Sequence, residues 1–365
     1  MNVLFVTNVP SPYRVDFFNE LGKSVELTVI FERHGASDRD KQWQGDKAQH
    51  FTEIYTEDKP IGIDRSVGRN LTKILKSLKF DHLIISGYAS PAVMLAIAYC
   101  RTHCIPYYIE SDGGFNKKDQ FPKSILKKFM LRGANGHFVT CEEYRNYLLS
   151  LGVNSECIYK YPFTSVKQAE ILNKPLAVDE KSVLRKKLGI KEEKIVLSVG
   201  QFIHRKGFDV LIEAARKLPD SIGIYFVGGV PTEEYTALVG KYHLRNIHFC
   251  GFKDKAALRE YYLAADVFVL PTREDIWGLV VNEAMACGLP VITTDRCIAG
   301  LELIKNGVNG YIVPVEDVNT LCVTIQNCYS ALKRQEGMAE AALQVMRKYT
   351  IENMAEVHDQ LIKQM

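Results

Sequence analysis

The chain has 365 residues, of which 47% are hydrophobic and 24% charged, and its formal net charge is +3. At about 100–200 residues per domain, this length predicts two domains, and the composition is typical of a soluble globular protein. The small net charge gives no electrostatic reason to expect a nucleic acid as partner.

The chain start, "MNVLFVTNVPSP", lacks the basic region of a secretory signal, and no stretch reaches the roughly 18 apolar residues of a membrane span. The nine cysteines are scattered and do not form the framework of a secreted protein. We therefore expect a cytoplasmic protein whose contact with a membrane, if it has any, is peripheral.

Short β-branched runs alternate with helical patterns along the whole chain, which predicts parallel sheets with helices on both faces. The predicted strands of the first half are 2–8, 25–32, 81–87, 107–112 and 136–140. Those of the second half are 194–200, 222–229, 246–252, 267–272, 290–295 and 310–315.

The polar stretch between the two halves lacks a strand pattern, so we predict two doubly wound α/β domains with a connection between them. The predicted boundaries are 1–165 for the first domain, 166–191 for the connection and 192–345 for the second domain. The amphipathic C-terminal helix, 346–365, need not pack on the nearest domain and is a candidate to pack back on the first.

The segment "LPTREDIWGLVVNEAMACGLP" (270–290) combines a strand end, a polar loop and a helix start. The helical pattern begins at Gly278 and stops at Gly288 and Pro290, as is usual for a helix C-terminus. The first amides of a helix are unpaired and lie at the positive end of its dipole. Such a helix start predicts a phosphate site.

Three acids, Glu274, Asp275 and Glu283, flank this helix start. Glu283 shares a helix face with Leu279 and Val280, and its carboxylate can accept hydrogen bonds from vicinal hydroxyls such as those of a ribose. Asp275 precedes the helix and can reach groups beyond the phosphates. Alternatively, the acids only complement the helix dipole, worth about 0.3–1 kcal/mol each, which explains Glu283 poorly because it lies beyond the first turn.

This segment resembles the E-x7-E region of glycosyltransferase family 4, whose members are retaining enzymes of the GT-B fold, with two doubly wound Rossmann-like domains facing across a cleft. Asp275 stands at the first acidic position, where the family has Glu, and the adjacent Glu274 is an alternative. The resemblance implies that the first acid meets the donor sugar, that Glu283 binds the ribose, and that the backbone of residues 278–280 meets the diphosphate.

The segment "SVGQFIHRKG" (198–207) follows the first strand of the second half. Lys206 and Arg205 can offset the charge of a diphosphate leaving group, although a basic pair is often only a solvated turn. The family carries G-R…K-G here, which assigns Lys206 to the phosphates. Gln201 replaces the family's Arg, and Arg205 is our candidate for the missing charge.

Glycines end the next two predicted strands of the second half, where they allow a ligand to approach the backbone closely. The resemblance implies that this edge meets the base of a nucleotide, so Gly228, Gly251 and Phe252 are nucleoside candidates. Tight turns explain the same glycines equally well.

In the first half, Tyr13 and Arg14 follow a stiff proline-containing loop, where the family often has a glycine pair near the donor phosphates. Arg14 could close over a phosphate or an acceptor, or it could be a surface arginine at a helix start. Many family members have a histidine at the end of the strand 107–112. Asp112 is the expected equivalent, and Glu110 lies close to it.

Two further sequence signals each have an ordinary structural alternative. Asp38 and Asp40 form the D-x-D pattern of metal-dependent glycosyltransferases of another fold, but they lie in a polar stretch that favours a solvated loop. The segment 121–133 is basic and amphipathic, so it is expected either to pack normally or to lie on an anionic membrane.

The resemblance implies an enzyme that moves a hexosyl unit from a nucleotide-diphosphate sugar, with UDP favoured, to a glycan or lipid-linked glycan hydroxyl with retention of configuration. It also implies bacterial surface polysaccharide synthesis as the pathway, and no metal or other cofactor is expected. The alternatives are a nucleotide-sugar epimerase of the same fold and a non-catalytic sugar-nucleotide-binding protein. A dinucleotide oxidoreductase is disfavoured because no G-x-G-x-x-G follows a strand.

Overall fold

The computed structural model describes residues 1–35, 47–56, 70–115, 123–334 and 337–365. These residues form two compact units, one of residues 1–165 with 350–365 and the other of residues 166–349. Each unit contains a parallel sheet flanked by helices, so the predicted α/β class with two Rossmann-like domains is confirmed.

The sheet of the first unit has seven described strands in the order β3-β2-β1-β4-β5-β6-β7. They are β1 (Asn2–Thr7), β2 (Glu26–Phe31), β3 (Thr52–Tyr55), β4 (His82–Ser86), β5 (Tyr108–Ser111), β6 (Gly136–Val139) and β7 (Ile158–Lys160). The helices between them are α1 (Pro12–Leu21), α2 (Leu71–Ser77), α3 (Pro91–Thr102), α4 (Lys123–Arg132) and α5 (Glu142–Ser150).

The sequence analysis missed the two edge strands, β3 and β7. Their residues are exposed or half-buried, because an edge strand is covered less completely than a central one. Neither strand therefore shows the continuous apolar run by which the central strands were recognised.

The sheet of the second unit has six described strands in the order β10-β9-β8-β11-β12-β13. They are β8 (Lys194–Val199), β9 (Ile222–Val227), β10 (Ile247–Phe249), β11 (Val267–Leu270), β12 (Val291–Thr294) and β13 (Gly310–Val313). Its helices are α6 (Val178–Leu188), α7 (Phe208–Ala215), α8 (Glu233–Lys241), α9 (Lys255–Ala264), α10 (Leu279–Ala286), α11 (Ile298–Leu303), α12 (Val318–Lys333) and α13 (Met338–Met346).

Residues 166–191, predicted as a connection, belong to the second unit and contain α6. Arg185 holds this helix in place by donating to the Asp266 carboxylate at 2.6 Å and to the Ala264 carbonyl at 2.9 Å. The polar composition that indicated a connection is thus the composition of a helix held by ion pairs at the surface of the unit.

The last helix, α14 (Ile351–Gln364), belongs to the first unit and packs on α1. Its buried side chains recur at helical spacing and form one face. They are Ile351, Met354, Ala355, His358 and Ile362.

Candidate active site

The second sheet reverses its winding between β8 and β11, and ligands of such sheets bind at the carboxyl ends of strands beside this reversal. The loops after these two strands are joined directly. The Arg273 amide donates to the Arg205 carbonyl at 2.8 Å, and the Thr272 hydroxyl donates to the same carbonyl at 2.9 Å. At Gly207, where φ is +66°, an added Cβ would lie 2.0 Å from the Pro271 carbonyl oxygen.

Asp275 meets Lys206 and Arg205 at this junction, although it lies 69 and 70 positions after them in the chain. Lys206 Nζ lies 2.6 Å from Asp275 Oδ2, and Arg205 Nη1 lies 3.2 Å from Asp275 Oδ1. The side chains of Asp275 and Lys206 are 9% and 12% exposed, whereas that of Arg205 is 45% exposed. The lysine and the acid therefore form a nearly buried pair, and the arginine reaches solvent.

The loop that carries Asp275 is fixed by backbone hydrogen bonds to the segment after β12. The Asp275 amide donates to the Arg296 carbonyl at 2.8 Å, and the Ala299 amide donates to the Trp277 carbonyl at 2.9 Å. Gly278 is the N-cap residue of α10 and has φ +103°. It provides no side chain to cap the first turn. An added Cβ at Gly278 would lie 3.0 Å from Cys297 Sγ. The helix start is thus held in place with its first amides uncapped by a side chain, as the predicted phosphate site requires.

A buried pair that the sequence analysis missed stabilises the same turn. Trp277 Nε1 donates to Asn282 Oδ1 at 2.8 Å, and both side chains are buried. An asparagine beside the apolar residues of α10 was the available signal, because a buried amide requires a partner.

Glu283 is half-buried on α10, and Tyr262 Oη of α9 donates to its Oε2 at 3.0 Å. Burial, followed by the charge of Glu283, raises the pKa of Tyr262 well above its ordinary value, so this phenol remains a donor. The sequence analysis did not identify Tyr262, which lies 21 positions upstream. Glu274 meets the cationic pair through its backbone, since its carbonyl accepts from Arg205 Nη1 at 2.8 Å.

Arg273 is a further residue that the sequence analysis missed. Its guanidinium donates to both carboxylate oxygens of Asp209, at 2.9 and 2.6 Å, and to Glu316 at 2.7 Å. Hydrogen bonds to Asp209 raise the pKa of Arg273 above its ordinary value. This arginine links the loop after β11 to the start of α7 and so stabilises the loop that carries Asp275.

The glycines at the next two strand ends complete the same edge. The Gly228 amide donates to the Gly251 carbonyl at 3.0 Å, and an added Cβ at Gly228 would lie 2.2 Å from the Gly200 carbonyl oxygen. Gly251 has φ +67°, and the position of its missing Cβ is open. The candidates Gln201 and Phe252 are half-buried at this edge.

In the first unit, Arg14 and Glu110 face each other in the interior. Arg14 Nη1 donates to Glu110 Oε1 at 3.0 Å, and Nη2 contacts both Glu110 Oε2 and Ser86 Oγ. Arg14 is 2% exposed and Glu110 is fully buried. Burial opposes ionisation of Glu110, but Arg14 and His358 outweigh it and hold its pKa below the usual range. The two candidates are therefore an internal ion pair rather than open contacts for a ligand.

Asp112 follows β5 and is half-buried. Burial raises its pKa to about 6; Arg14 opposes this shift, the Glu110 carboxylate adds to it, and a hydrogen bond from Tyr13 opposes it. Burial and the charge of Asp112 also raise the pKa of Tyr13 above its ordinary value. A raised pKa of this kind is common among catalytic carboxyls.

The remaining predictions concern metal and membrane. Asp38 and Asp40 lie outside the described residues, as does the beginning of segment 121–133. Within the described ranges, no group of three or more His, Cys, Asp or Glu side chains is arranged to hold a metal ion. The described helices include none that is both long and apolar enough to span a bilayer.

Residues 180–345 match the family model of group 1 glycosyl transferases. A segment of 125 residues is 36% identical to the lipopolysaccharide glucosyltransferase WaaG of Escherichia coli K12 and covers 33% of each protein. Over 312 residues, the chain is 23% identical to the N,N'-diacetylbacillosaminyl-diphospho-undecaprenol alpha-1,3-N-acetylgalactosaminyltransferase of Campylobacter jejuni and covers 80% of each. The chain spans 47%, 33% and 36% of the length of the first three curated relatives that it matches.

Among solved structures, HepE of Anabaena in complex with UDP aligns over 100% of both chains with a TM-score of 0.80 and 16% identity. At this identity, the likeness shows the fold alone. The neighbours and the two parallel sheets together show a GT-B fold. Lys206, Asp275 and Glu283 all lie within the segment that matches the group 1 glycosyl transferase model.

Proposed function

We propose that this protein is a glycosyltransferase of the retaining family 4 type, which moves a hexosyl unit from a nucleotide-diphosphate sugar to a hydroxyl of a glycan or lipid-linked glycan. The observation that carries the proposal is the nearly buried pair of Lys206 and Asp275 beside the uncapped start of α10. This pair lies within the segment that matches the group 1 model.

The start of α10 and the two cations form the proposed diphosphate site. The amides of Leu279 and Val280 lie at the positive end of the helix dipole, where an anion is favoured. Lys206 and Arg205 add two positive charges to this site. As the glycosidic bond breaks, negative charge grows on the leaving diphosphate, and donors that are already fixed in place stabilise it without reorganisation. We propose that these groups suffice without a metal ion.

The remaining candidates of the second unit are assigned to the nucleoside and the sugar. The Glu283 carboxylate, oriented by Tyr262, accepts from the two ribose hydroxyls. Gly251, whose missing Cβ faces open space, leaves room for the base, and Gly228 lets the backbone at this edge pass close to Gly200. Asp275 supports the positive charge that develops on the sugar as its bond to the diphosphate lengthens.

In the first unit, Asp112 and Tyr13 are the proposed catalytic and acceptor-binding groups. As an ionised carboxylate, Asp112 can accept a hydrogen bond from a sugar hydroxyl and add negative charge near a developing oxocarbenium ion. Arg14 and Glu110 have a supporting role because their charges are satisfied by each other.

The proposed donor base and acceptor rest on relatives rather than on contacts. The structural neighbour HepE was solved with UDP, which favours a UDP-sugar. The relatives named above act on lipopolysaccharide and on an undecaprenol-linked sugar, which favours a lipid-linked glycan of bacterial surface polysaccharide synthesis as acceptor. We also propose the cytoplasmic face of the membrane as the site of action.

A screen of nucleotide sugars by thermal shift and by release of nucleotide tests the proposal. A ligand at 100 times its Kd adds about 2.7 kcal/mol, which corresponds to a rise of about 5–10 °C for a unit of this size. Glu283→Gln should weaken UDP binding, whereas Glu234→Gln on exposed α8 should not. If no sugar nucleotide shifts the melting temperature or is consumed, the proposed function is wrong.

We also propose that α4 contacts an anionic membrane surface. Ile125, Leu126 and Phe129 are 53%, 43% and 44% exposed, and Lys128 and Arg132 lie on the same short helix. An apolar face flanked by cations matches the boundary between anionic headgroups and acyl chains.

Sedimentation with phosphatidylglycerol vesicles tests this contact. Replacing Ile125 and Phe129 by Ser should reduce binding by a factor of about 10² or more, because each buried apolar side chain contributes about 1.5–3 kcal/mol. The same change at Val323, which is 52% exposed in the second unit, is the matched control. Equal binding by both variants would reject α4 as the membrane contact.

A further inference from the structure

The two loops of the candidate donor site exchange arginine side chains. Arg205, in the loop after β8, donates from Nη1 to the Glu274 carbonyl at 2.8 Å. Arg273, in the loop after β11, donates from Nη1 to the His204 carbonyl at 2.7 Å. Each loop thus supplies a guanidinium to a backbone carbonyl of the other. The turn that carries Lys206 is therefore held by a side chain from outside the turn.

The two arginines differ in what remains available to a ligand. The Arg273 side chain is 17% exposed, and it also donates to both carboxylate oxygens of Asp209 and, from Nε, to Glu316. These contacts use all three guanidinium nitrogens. Arg205 is 45% exposed, and its contacts within the described part of the chain both come from Nη1. Arg205 can therefore turn toward a phosphate, whereas Arg273 is committed to the protein.

Arg273 contacts the turn at two successive carbonyls. His204–Lys206 form one turn of 3-10 helix, which the Gly207 amide closes by donating to the His204 carbonyl at 3.2 Å. That carbonyl also accepts from the Arg273 guanidinium, and the Arg205 carbonyl accepts from the Arg273 amide at 2.8 Å. A single turn of this kind has few hydrogen bonds of its own, so its orientation depends on contacts made from outside.

The acidic partners of Arg273 fix the direction of its guanidinium. Two parallel N–H···O bonds to Asp209, at 2.9 and 2.6 Å, hold the group in one plane, and Glu316 accepts from Nε at 2.7 Å. Asp209 lies in the first turn of α7, whose apolar residues belong to the core of the second unit. A lysine presents a single ammonium group and cannot reproduce this arrangement. The turn is thus anchored to the core through α7 and Arg273.

We propose that Arg273 is a positioning residue for the diphosphate of the donor. It binds no ligand itself, but it holds the turn 204–206 in the orientation that directs Lys206 and Arg205 to the start of α10. The inference rests on the proposed function, because it concerns the diphosphate site named there. A change at Arg273 then affects the binding of the donor phosphates and leaves the nucleoside contacts, which lie at other strand ends, as they are.

NMR titrations of Arg273→Lys and Arg273→Gln with UDP and with uridine test the proposal. UDP should bind about tenfold more weakly to both variants, because two charge-assisted contacts to phosphate are loosened. Uridine, which has no phosphate, should bind as it does to the wild type. A folded variant that keeps the wild-type affinity for UDP would overturn the proposal, as would equal losses of UDP and uridine affinity.

Hydrogen exchange provides a readout that needs no ligand. The amides of Gly207 and of residue 273 should exchange about tenfold faster in both variants, because the turn opens more readily. The central amides of β8 should keep their protection. Unchanged exchange at Gly207 would show that Arg273 does not hold the turn. If the wild type binds no sugar nucleotide, the proposed function is wrong, and the exchange at Gly207 still decides the role of Arg273.

Two further variants complete the experiment. Arg245 is exposed and precedes β10, so Arg245→Gln is the matched control and should change neither UDP affinity nor exchange at Gly207. Changes equal to those of Arg273→Gln would contradict a specific role for Arg273. If Arg273→Gln does not fold, Asp209→Asn weakens the same anchor at a side chain that is 29% exposed. It should show a smaller loss of affinity for UDP and none for uridine, and wild-type affinity for UDP would reject the proposal.

Discussion

Replacing Asp275 by Asn should destabilise the second unit and at the same time tighten its binding of UDP. Lys206 and Arg205 share this carboxylate at 2.6 and 3.2 Å. Removing one partner of a buried ion pair costs about 3–5 kcal/mol. Because Lys206 retains 12% exposure and can regain some water, we expect a loss of about 2–3 kcal/mol, or about 5–10 °C in Tm for a unit of this size.

The effect on UDP has the opposite sign because the diphosphate and Asp275 compete for the same cations. Two unit charges about 7 Å apart repel by about 2.4 kcal/mol at an effective dielectric constant of 20. Some of this gain is lost because Lys206 is no longer held in one orientation, so we expect UDP to bind about 3–10-fold more tightly. Turnover should fall by a factor of about 10² or more, because the charge that supports the sugar cation is gone.

Calorimetric melting, titration with UDP and release of UDP from the donor measure these three effects separately. Asp220→Asn, at an exposed turn of the same unit, is the matched control and should change none of them. If Asp275→Asn binds UDP more weakly than the wild type, the acid does not compete with the diphosphate. If it turns the donor over at the wild-type rate, Asp275 has no part in the chemistry.

Asn282→Leu should cost about 1–3 kcal/mol because it removes the acceptor of the buried Trp277 indole N–H; urea unfolding should show Trp277→Phe/Asn282→Leu to be more stable than the single variant, and additive losses would contradict the pairing. Tyr262→Phe removes one hydrogen bond to Glu283 and should weaken UDP binding about 3–10-fold, worth about 0.5–1.5 kcal/mol, with little change in Tm; unchanged affinity in a titration would remove Tyr262 from the site. The pKa of Asp112 is raised to about 6, so its contribution to folding is fully present below the unfolded value near 4 and is lost as the pH rises through about 6. Asp112→Asn should therefore abolish the acidic limb of kcat/KM. Relative to the wild type, it should also stabilise the protein more at pH 8 than at pH 4. If the acidic limb persists, it belongs to another group.

The central strands and the residues at their carboxyl ends were predictable because both follow from local pattern. A strand buried on both faces reads as an apolar run, and the parallel arrangement brings the loops after β8 and β11 to the same edge. That is why Lys206 and Asp275 could both be assigned to one donor site from sequence, whereas their direct contact became visible only in the structure. The edge strands β3 and β7 could not be predicted, since their half-exposed residues carry no such pattern.

The partners of the buried polar groups could not be read from the sequence. The positions of Arg14 and Glu110 suggested contacts with a ligand, yet 96 residues apart in the chain they are each other's counterion. Their orientation was decided by the cost of burying an unpaired charge, which is larger than any preference expressed by the neighbouring residues.

The sequence by itself determined the α/β class, the division into two units and the strand ends at which chemistry is placed, because periodicity and turn residues act over a few positions. Tertiary structure alone decided which charges are neutralised and which unit receives the last helix. Those outcomes depend on contacts such as that of His358 with Glu110, and such pairings form only when distant segments are packed together and water is removed from between them.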